Sequence, residues 1–178
     1  MNNYHKVKNM ANFNETLESI KNDWNAGEKN FNVECDMLQN GMQVKCKMGN
    51  PGGEPFELLI DAPGGLDGTN EGPSPLLVIL SSIGACIIAV TRFWAKIMDI
   101  EIEEMKVFSR GHINLGAIFG LDDSKLAGYD DLEPVIRIKA NASEEKINEL
   151  MDNVFKHCPV INNFGGASPI TPKVQIKD

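Results

Sequence analysis

The sequence predicts a mixed fold of antiparallel strands and buried helices, and three stretches carry that expectation. Residues 33–48 have the alternation and turn of a β-hairpin. Residues 74–98 form a helix that is apolar on every side, and residues 143–158 form a second helix with one apolar face. The remaining elements connect or extend these.

At 178 residues the chain has the length of one ordinary domain, whose core needs neither disulfides nor a structural metal. The expected organisation is a single domain over residues 1–178, with residues 1–28 as an N-terminal helical extension. The opening MNNYHKVKNM lacks the apolar run of a secretion signal. Together with four cysteines in no tight scaffold spacing, this points to reduced thiols in the cytoplasm. A formal net charge of -8 repels phosphate backbones and anionic lipid, which argues against nucleic acid and membrane surfaces as partners. Small neutral or apolar substrates fit better.

Phe13, Leu17, Ile20 and Trp24 recur at helical spacing and predict a short amphipathic helix that packs through this stripe and ends at Gly27. The hairpin follows. Asn40-Gly41 predicts a two-residue type I′ turn, which sets Val33 against Met48, Cys35 against Cys46 and Met37 against Val44 on an apolar face. Glu34 then meets Lys47 and Asp36 meets Lys45 on the other, and a one-residue slip would mix the two classes. Cys35 and Cys46 are expected as a hydrogen-bonded pair with Cα atoms about 5.5 Å apart. That geometry admits a disulfide; in a reducing compartment and on a core face, two reduced thiols acting as small hydrophobes are the favoured reading.

Asn50-Pro51-Gly52-Gly53 turns the chain into a third strand, Phe56 to Asp61, completing an antiparallel meander. The glycine-rich PGGLDGTNEGPSP that follows has no Gly-Lys-Ser/Thr ending. Asp67 and Glu71 within it would repel phosphate, so a nucleotide-binding reading is rejected.

Ser74 and Pro75 suit the N-cap and first position of the central helix. The apolar run from Leu76 to Val90 is interrupted by Ser81 and Ser82 and followed by Arg92 and Lys96, short of the roughly 20 residues of a bilayer span. It is therefore a core helix, needing cover on several faces, with Cys86 in its middle. Strands are expected at Met105–Asn114 and Pro134–Ala140. Between them, residues 115–132 mix Phe119, Leu121, Leu126 and Tyr129 with glycines and aspartates, as ordered loops bordering sites often do. The last helix begins at Ser143 and sets Ile147, Leu150, Met151, Val154, Phe155 and Cys158 on one face. Pro159 is expected to stop it, and Val174 and Ile176 to form a final strand.

Several chemistries fall away. Ser81 and Ser82 lack the glycines of a nucleophile elbow and are expected to bond back to helix carbonyls. His5, His112 and His157 have no ligand spacing, so neither a metal nor another cofactor is expected. His112, opposite in parity to Met105 and Val107, should face solvent.

GPSPL at residues 72–76, LSSIGAC ending at Cys86, and HCPV containing Cys158 together make the chain similar to the OsmC/Ohr family, the osmotically inducible protein C and organic hydroperoxide resistance proteins. The resemblance spans residues 30–178. It implies an α+β fold in which curved antiparallel sheets wrap two central helices in an intertwined homodimer. It also implies a thiol-dependent peroxidase of oxidative stress defence. Cys86 would attack an organic hydroperoxide and become a sulfenic acid, Cys158 would resolve it, and an external dithiol reductant would close the cycle. Cys158, at a helix C-terminus, is the poorer first nucleophile, while burial of Cys86 would raise its pKa.

The chain departs from the family's peroxidases at two points. Their activating glutamate, directly after the helix-starting proline, is Leu76 here, and no arginine precedes Cys86: Arg92, Arg110 and Arg137 all follow it. Arg92 lies about 240° round the helix from Cys86, pointing away within its own chain but free to reach a partner subunit. Glu71 and His157 are further candidates, His157 fitting better as a charge on the helix C-terminus. The alternative reading is therefore a non-catalytic OsmC-like dimer that binds a small apolar ligand.

Overall fold

The structure, a computed structural model, describes residues 11–50 and 53–166; the strand expected at Val174 and Ile176 lies outside them. The chain divides into two compact units, Met1–Gly72 and Pro73–Asp178.

In the first unit, α1 spans Ala11–Asn22. Asp23 then caps a 3-10 turn, Trp24–Gly27, its carboxylate accepting from the Asn25 N–H at 3.0 Å. This cap takes Trp24 off the helical stripe, and the indole lies in solvent instead of packing, 80% exposed. The three strands β1 (Val33–Met37), β2 (Val44–Met48) and β3 (Phe56–Ile60) form an antiparallel meander in that order. All five expected β1–β2 pairs are present, including Cys35 opposite Cys46 and Glu34 opposite Lys47.

Two details of the hairpin differ from expectation. The turn sits one residue later, with the Gln43 N–H donating to the Asn40 carbonyl at 3.2 Å around Gly41, whose φ is 57°. Its position follows from the neighbouring loop: Gln43 Nε2 donates to Thr69 Oγ1 at 2.9 Å and to Glu71 Oε2 at 2.8 Å. The Leu38 N–H reaches the Gln43 carbonyl at 3.0 Å, so 38/43 is a bonded position. Bonded and non-bonded pairs alternate, which makes Cys35/Cys46 a non-hydrogen-bonded pair with Cα atoms about 4.5 Å apart. The second difference is burial. Cys46 is buried, but every residue of β1 is exposed, Cys35 included, so the expected core face is covered only on its β2 side.

Asp61, at the end of β3, organises the glycine-rich loop. Its buried carboxylate accepts from the Thr69 hydroxyl at 2.6 Å and from the backbone N–H groups of Ala62, Thr69 and Glu71 at 2.7, 3.1 and 3.0 Å. Amides that a phosphate would need are thus already engaged by a carboxylate.

In the second unit, α2 runs over Pro75–Ile97, with Ser74 Oγ accepting from the Leu77 N–H at 3.4 Å. At 23 residues the helix is longer than its uninterrupted apolar run and would suffice, by length and composition, to cross a membrane. Here it is a core helix. It packs on the antiparallel pair β4 (Ile102–His112) and β5 (Asp131–Ala140), and on α4 (Glu144–His157) and α5 (Pro159–Phe164); a single turn, α3, spans Leu115–Ile118. Ile83, Ile87, Val90, Ala95, Leu150, Val154 and Cys158 make the core, lined from the strands by Met105, Val107, Ile136 and Ile138. Gly84 lets the helix approach closely: a Cβ there would lie 3.1 Å from Ser109 Oγ and 3.7 Å from Val107. Ser81 and Ser82 donate to the carbonyls of Val78 and Ile79, at 2.8 and 2.7 Å, as expected. His112 is exposed and bonded to Asp130 at 2.8 Å.

The helix is not covered all round. Leu77, Ser81, Ala85, Ala89 and Phe93, four residues apart, remain exposed. Of the apolar residues in the 115–132 segment, Phe119, Leu121 and Leu126 are exposed, while Tyr129 donates its hydroxyl to the Leu76 carbonyl at 2.9 Å, tying this segment to the first turn of α2.

Two stability measurements check this description. Gly84→Val should cost about 1–3 kcal/mol in urea unfolding by overpacking against β4, whereas Asn148→Ala on the exposed side of α4 should stay within about 0.5 kcal/mol. The Thr69 hydroxyl bond and the three amides hold the Asp61 carboxyl down from 3.8 to about 2. A depressed acid stabilises the fold above its unfolded pKa and loses that effect as it protonates. The wild type should therefore lose stability between about pH 4 and pH 2, and Asp61→Asn should be less stable at pH 7 with a flatter profile across that window.

Candidate active site

The two inward thiols come from different helices. Cys86 sits half-buried in the middle of α2, between Gly84 and Ile87, both buried. Leu150, Val154 and Cys158 follow each other at steps of four along α4 and are fully buried. Phe155, expected on the same face, is 39% exposed because it lies at the edge of that stripe.

Pro159 stops α4, as expected, and also opens a further short helix. It occupies the first position of α5, so Cys158 is both the last cap of α4 and the N-cap of α5, with extended backbone angles φ -77°, ψ 112°. Asn162 fixes this kink: its backbone N–H and its Nδ2 each donate to the Cys158 carbonyl at 3.0 Å, and Nδ2 also reaches the Lys156 carbonyl at 3.2 Å. The kink places the Val160 N–H and the Cys158 thiol close enough to Cys86 for both to act on its sulfur.

The electrostatics at Cys86 are mixed. Burial pushes its thiol above the ordinary value of 9.0; the Val160 N–H pulls it down; the adjacent Cys158 pushes it up again, with a net rise. No basic side chain among the described residues contributes to the shift. Arg92 is exposed, as its position on the helix predicted. His157 bonds through Nδ1 to the Asn153 carbonyl at 2.8 Å, and its ring lies 4.8 Å from that of Trp94, consistent with a role at the end of α4. Glu71 is bonded to Gln43 within the first unit. An open hollow on the β4–β5 pair, lined by Glu104, Met105, Lys106, Arg137, Ile138 and Lys139, contains neither thiol.

The Val160 amide and Asn162 were not anticipated from the sequence. The signal was present: Cys158-Pro159 repeats the N-cap and first-position pattern of Ser74-Pro75.

The second unit is thus an α+β unit whose core helices each carry one thiol, the two lying near one another. The chain belongs to the OsmC family: the family model described as OsmC-like protein matches residues 68–173. Solved structures share the fold. The OsmC-like protein of Mycoplasma pneumoniae is 21% identical, with a TM-score of 0.65 over 78% of this chain and 89% of that one. An organic hydroperoxide resistance protein of Elizabethkingia anophelis is 18% identical, with a TM-score of 0.55 over 78% and 90%. A third, from Legionella pneumophila and also called an organic hydroperoxide resistance protein, is 13% identical, with a TM-score of 0.51 over 78% and 90%. No curated protein matches the chain in sequence.

Because the thiolate is the reactive form and the Cys86 thiol is raised, its alkylation by iodoacetamide should accelerate about tenfold per pH unit from pH 7 to about pH 9. Peptide mapping of the labelled protein measures this. A plateau below pH 7 would show a cation acting on the sulfur.

Proposed function

We propose that the protein is a cytoplasmic thiol peroxidase that reduces organic hydroperoxides with Cys86 and Cys158. The observation that carries this reading is that the core packing sets Cys158 and the Val160 N–H close enough to Cys86 to shift its pKa. The Cys86 thiolate, stabilised by that N–H, attacks the terminal peroxide oxygen. The O–O bond breaks, the alcohol leaves with a proton, and Cys86 becomes a sulfenic acid. Cys158 then attacks the Cys86 sulfur, water leaves and a disulfide forms; the packing of the two helices keeps the resolving thiol near the sulfur that it attacks. An external dithiol restores both. The names of the Elizabethkingia and Legionella neighbours support the same substrate class.

A homodimer fits the uncovered side of α2. Leu77, Ala85, Ala89 and Phe93 form an exposed apolar stripe, and a second copy of the chain would cover it and bring its own charged groups close to the helix. This is the expected source of any cation for Cys86.

The raised Cys86 thiol and Leu76 at the family's glutamate position favour a second reading, an OsmC-like dimer that binds a small apolar ligand without turnover. Consumption of cumene hydroperoxide in the presence of a dithiol separates the two. Peroxidase action predicts turnover by the wild type, loss to buffer background in Cys86→Ser, and arrest of Cys158→Ser after a single turnover. Equal consumption by wild type and Cys86→Ser would reject it.

A further inference from the structure

The peroxidase reading leaves two cysteines unused, and they face each other. Cys35 and Cys46 are directly opposed across β1 and β2, with their sulfurs 3.1 Å apart. A covalent bond needs the sulfurs to close by only about 1 Å. One thiol is exposed and the other buried, an asymmetry suited to an entering and a resolving sulfur. The exposed Cys35 can be reached by a reagent, whereas Cys46 is reached through Cys35. The hydrogen bond to Cys35 and burial both push the Cys46 thiol up, favouring its protonated form.

The backbone adds a second constraint. In a non-hydrogen-bonded pair the Cα atoms stand about 4.5 Å apart, near the short limit for a disulfide and below the roughly 5.5–6 Å that the bond prefers. A bond made there forms under strain and is readily broken again, which marks it as reversible rather than structural. It would also have a mechanical effect. Among the described residues β1 pairs only with β2, at the edge of the meander, and is exposed along its whole length. A cross-link at its central residue would hold this strand in place.

We propose that Cys35 and Cys46 are a second dithiol–disulfide site, separate from Cys86 and Cys158, which exchanges with small disulfides and reversibly locks β1 onto β2. Taking oxidised glutathione as the disulfide, the Cys35 thiolate attacks one of its sulfurs and displaces a glutathione thiolate, leaving a mixed disulfide on Cys35. Cys46 gives up its proton, attacks the Cys35 sulfur and expels the second glutathione. Two protein thiols are oxidised to one disulfide, and one glutathione disulfide is reduced to two thiols.

The sequence makes the test direct. Trypsin cuts after Lys29, Lys45 and Lys47, which separates Cys35 and Cys46 onto different peptides and keeps both away from Cys86 and Cys158. Wild-type protein is equilibrated in mixtures of reduced and oxidised glutathione, alkylated, digested and mapped by mass. The expected result is a linked pair of peptides, 30–45 with 46–47, that grows as the mixture becomes oxidising and disappears with dithiothreitol. Hydrogen exchange of the β1 amides should slow several-fold in the oxidised protein. Cys46→Ser should accumulate glutathione on Cys35, and Cys35→Ser should leave Cys46 unmodified. Free, alkylatable Cys35 and Cys46 in fully oxidised glutathione, or separate glutathione adducts on both, would overturn the proposal.

Discussion

The packing of α2 against α4 is the constraint on which the site depends. Ile87, Leu150 and Val154 have no exposed surface, and each buried side chain of this kind contributes about 1.5–3 kcal/mol. Ile87 adjoins Cys86, and Val154 and Leu150 lie one and two turns before Cys158, so the forces that hold the helices together also set the distance between the thiols. The same helix face must lie close to β4, which Gly84 permits. A bulky side chain there would press on Ser109 and Val107 of β4 and strain the packing that places Cys86.

The second element is the break between α4 and α5. A continuous helix would bury the Val160 N–H in its own hydrogen-bond ladder. Pro159 removes that option, because its ring is compatible with the start of a helix but not with the interior of one. Asn162 then satisfies the carbonyls that the break exposes, at Lys156 and Cys158. The freed amide is directed at sulfur. One amide against burial and a neighbouring thiol leaves Cys86 above its ordinary pKa, so strong activation has to come from charges outside the described chain. In the proposed homodimer, a second copy covering the stripe on α2 would supply them.

Much of this was legible in the sequence because it rests on strict periods. The hairpin register follows from separating charged and apolar residues at a period of two, and all five pairs agree. The helix starts follow from Ser-Pro and Ser-Glu-Glu signals, and the inward cysteines from steps of three and four. What was not legible depends on contacts remote in the chain. The hairpin turn is displaced because Gln43 is held by Thr69 and Glu71, which changes the phase of the bonded pairs and hence the environment of Cys35 and Cys46. Trp24 leaves its stripe because Asp23 caps a new turn. Pro159 ends α4 as expected, but that it also begins α5 was not legible, because this depends on Cys158 adopting the extended angles of an N-cap.

Treating reduced protein with one equivalent of cumene hydroperoxide and mapping its disulfides tests the central claim most directly, because it asks whether the two helices hold their sulfurs as a working pair. A Cys86–Cys158 linkage as the principal product is the predicted result. Cys86 carried on to sulfinic acid while Cys158 remains free and alkylatable would contradict the account.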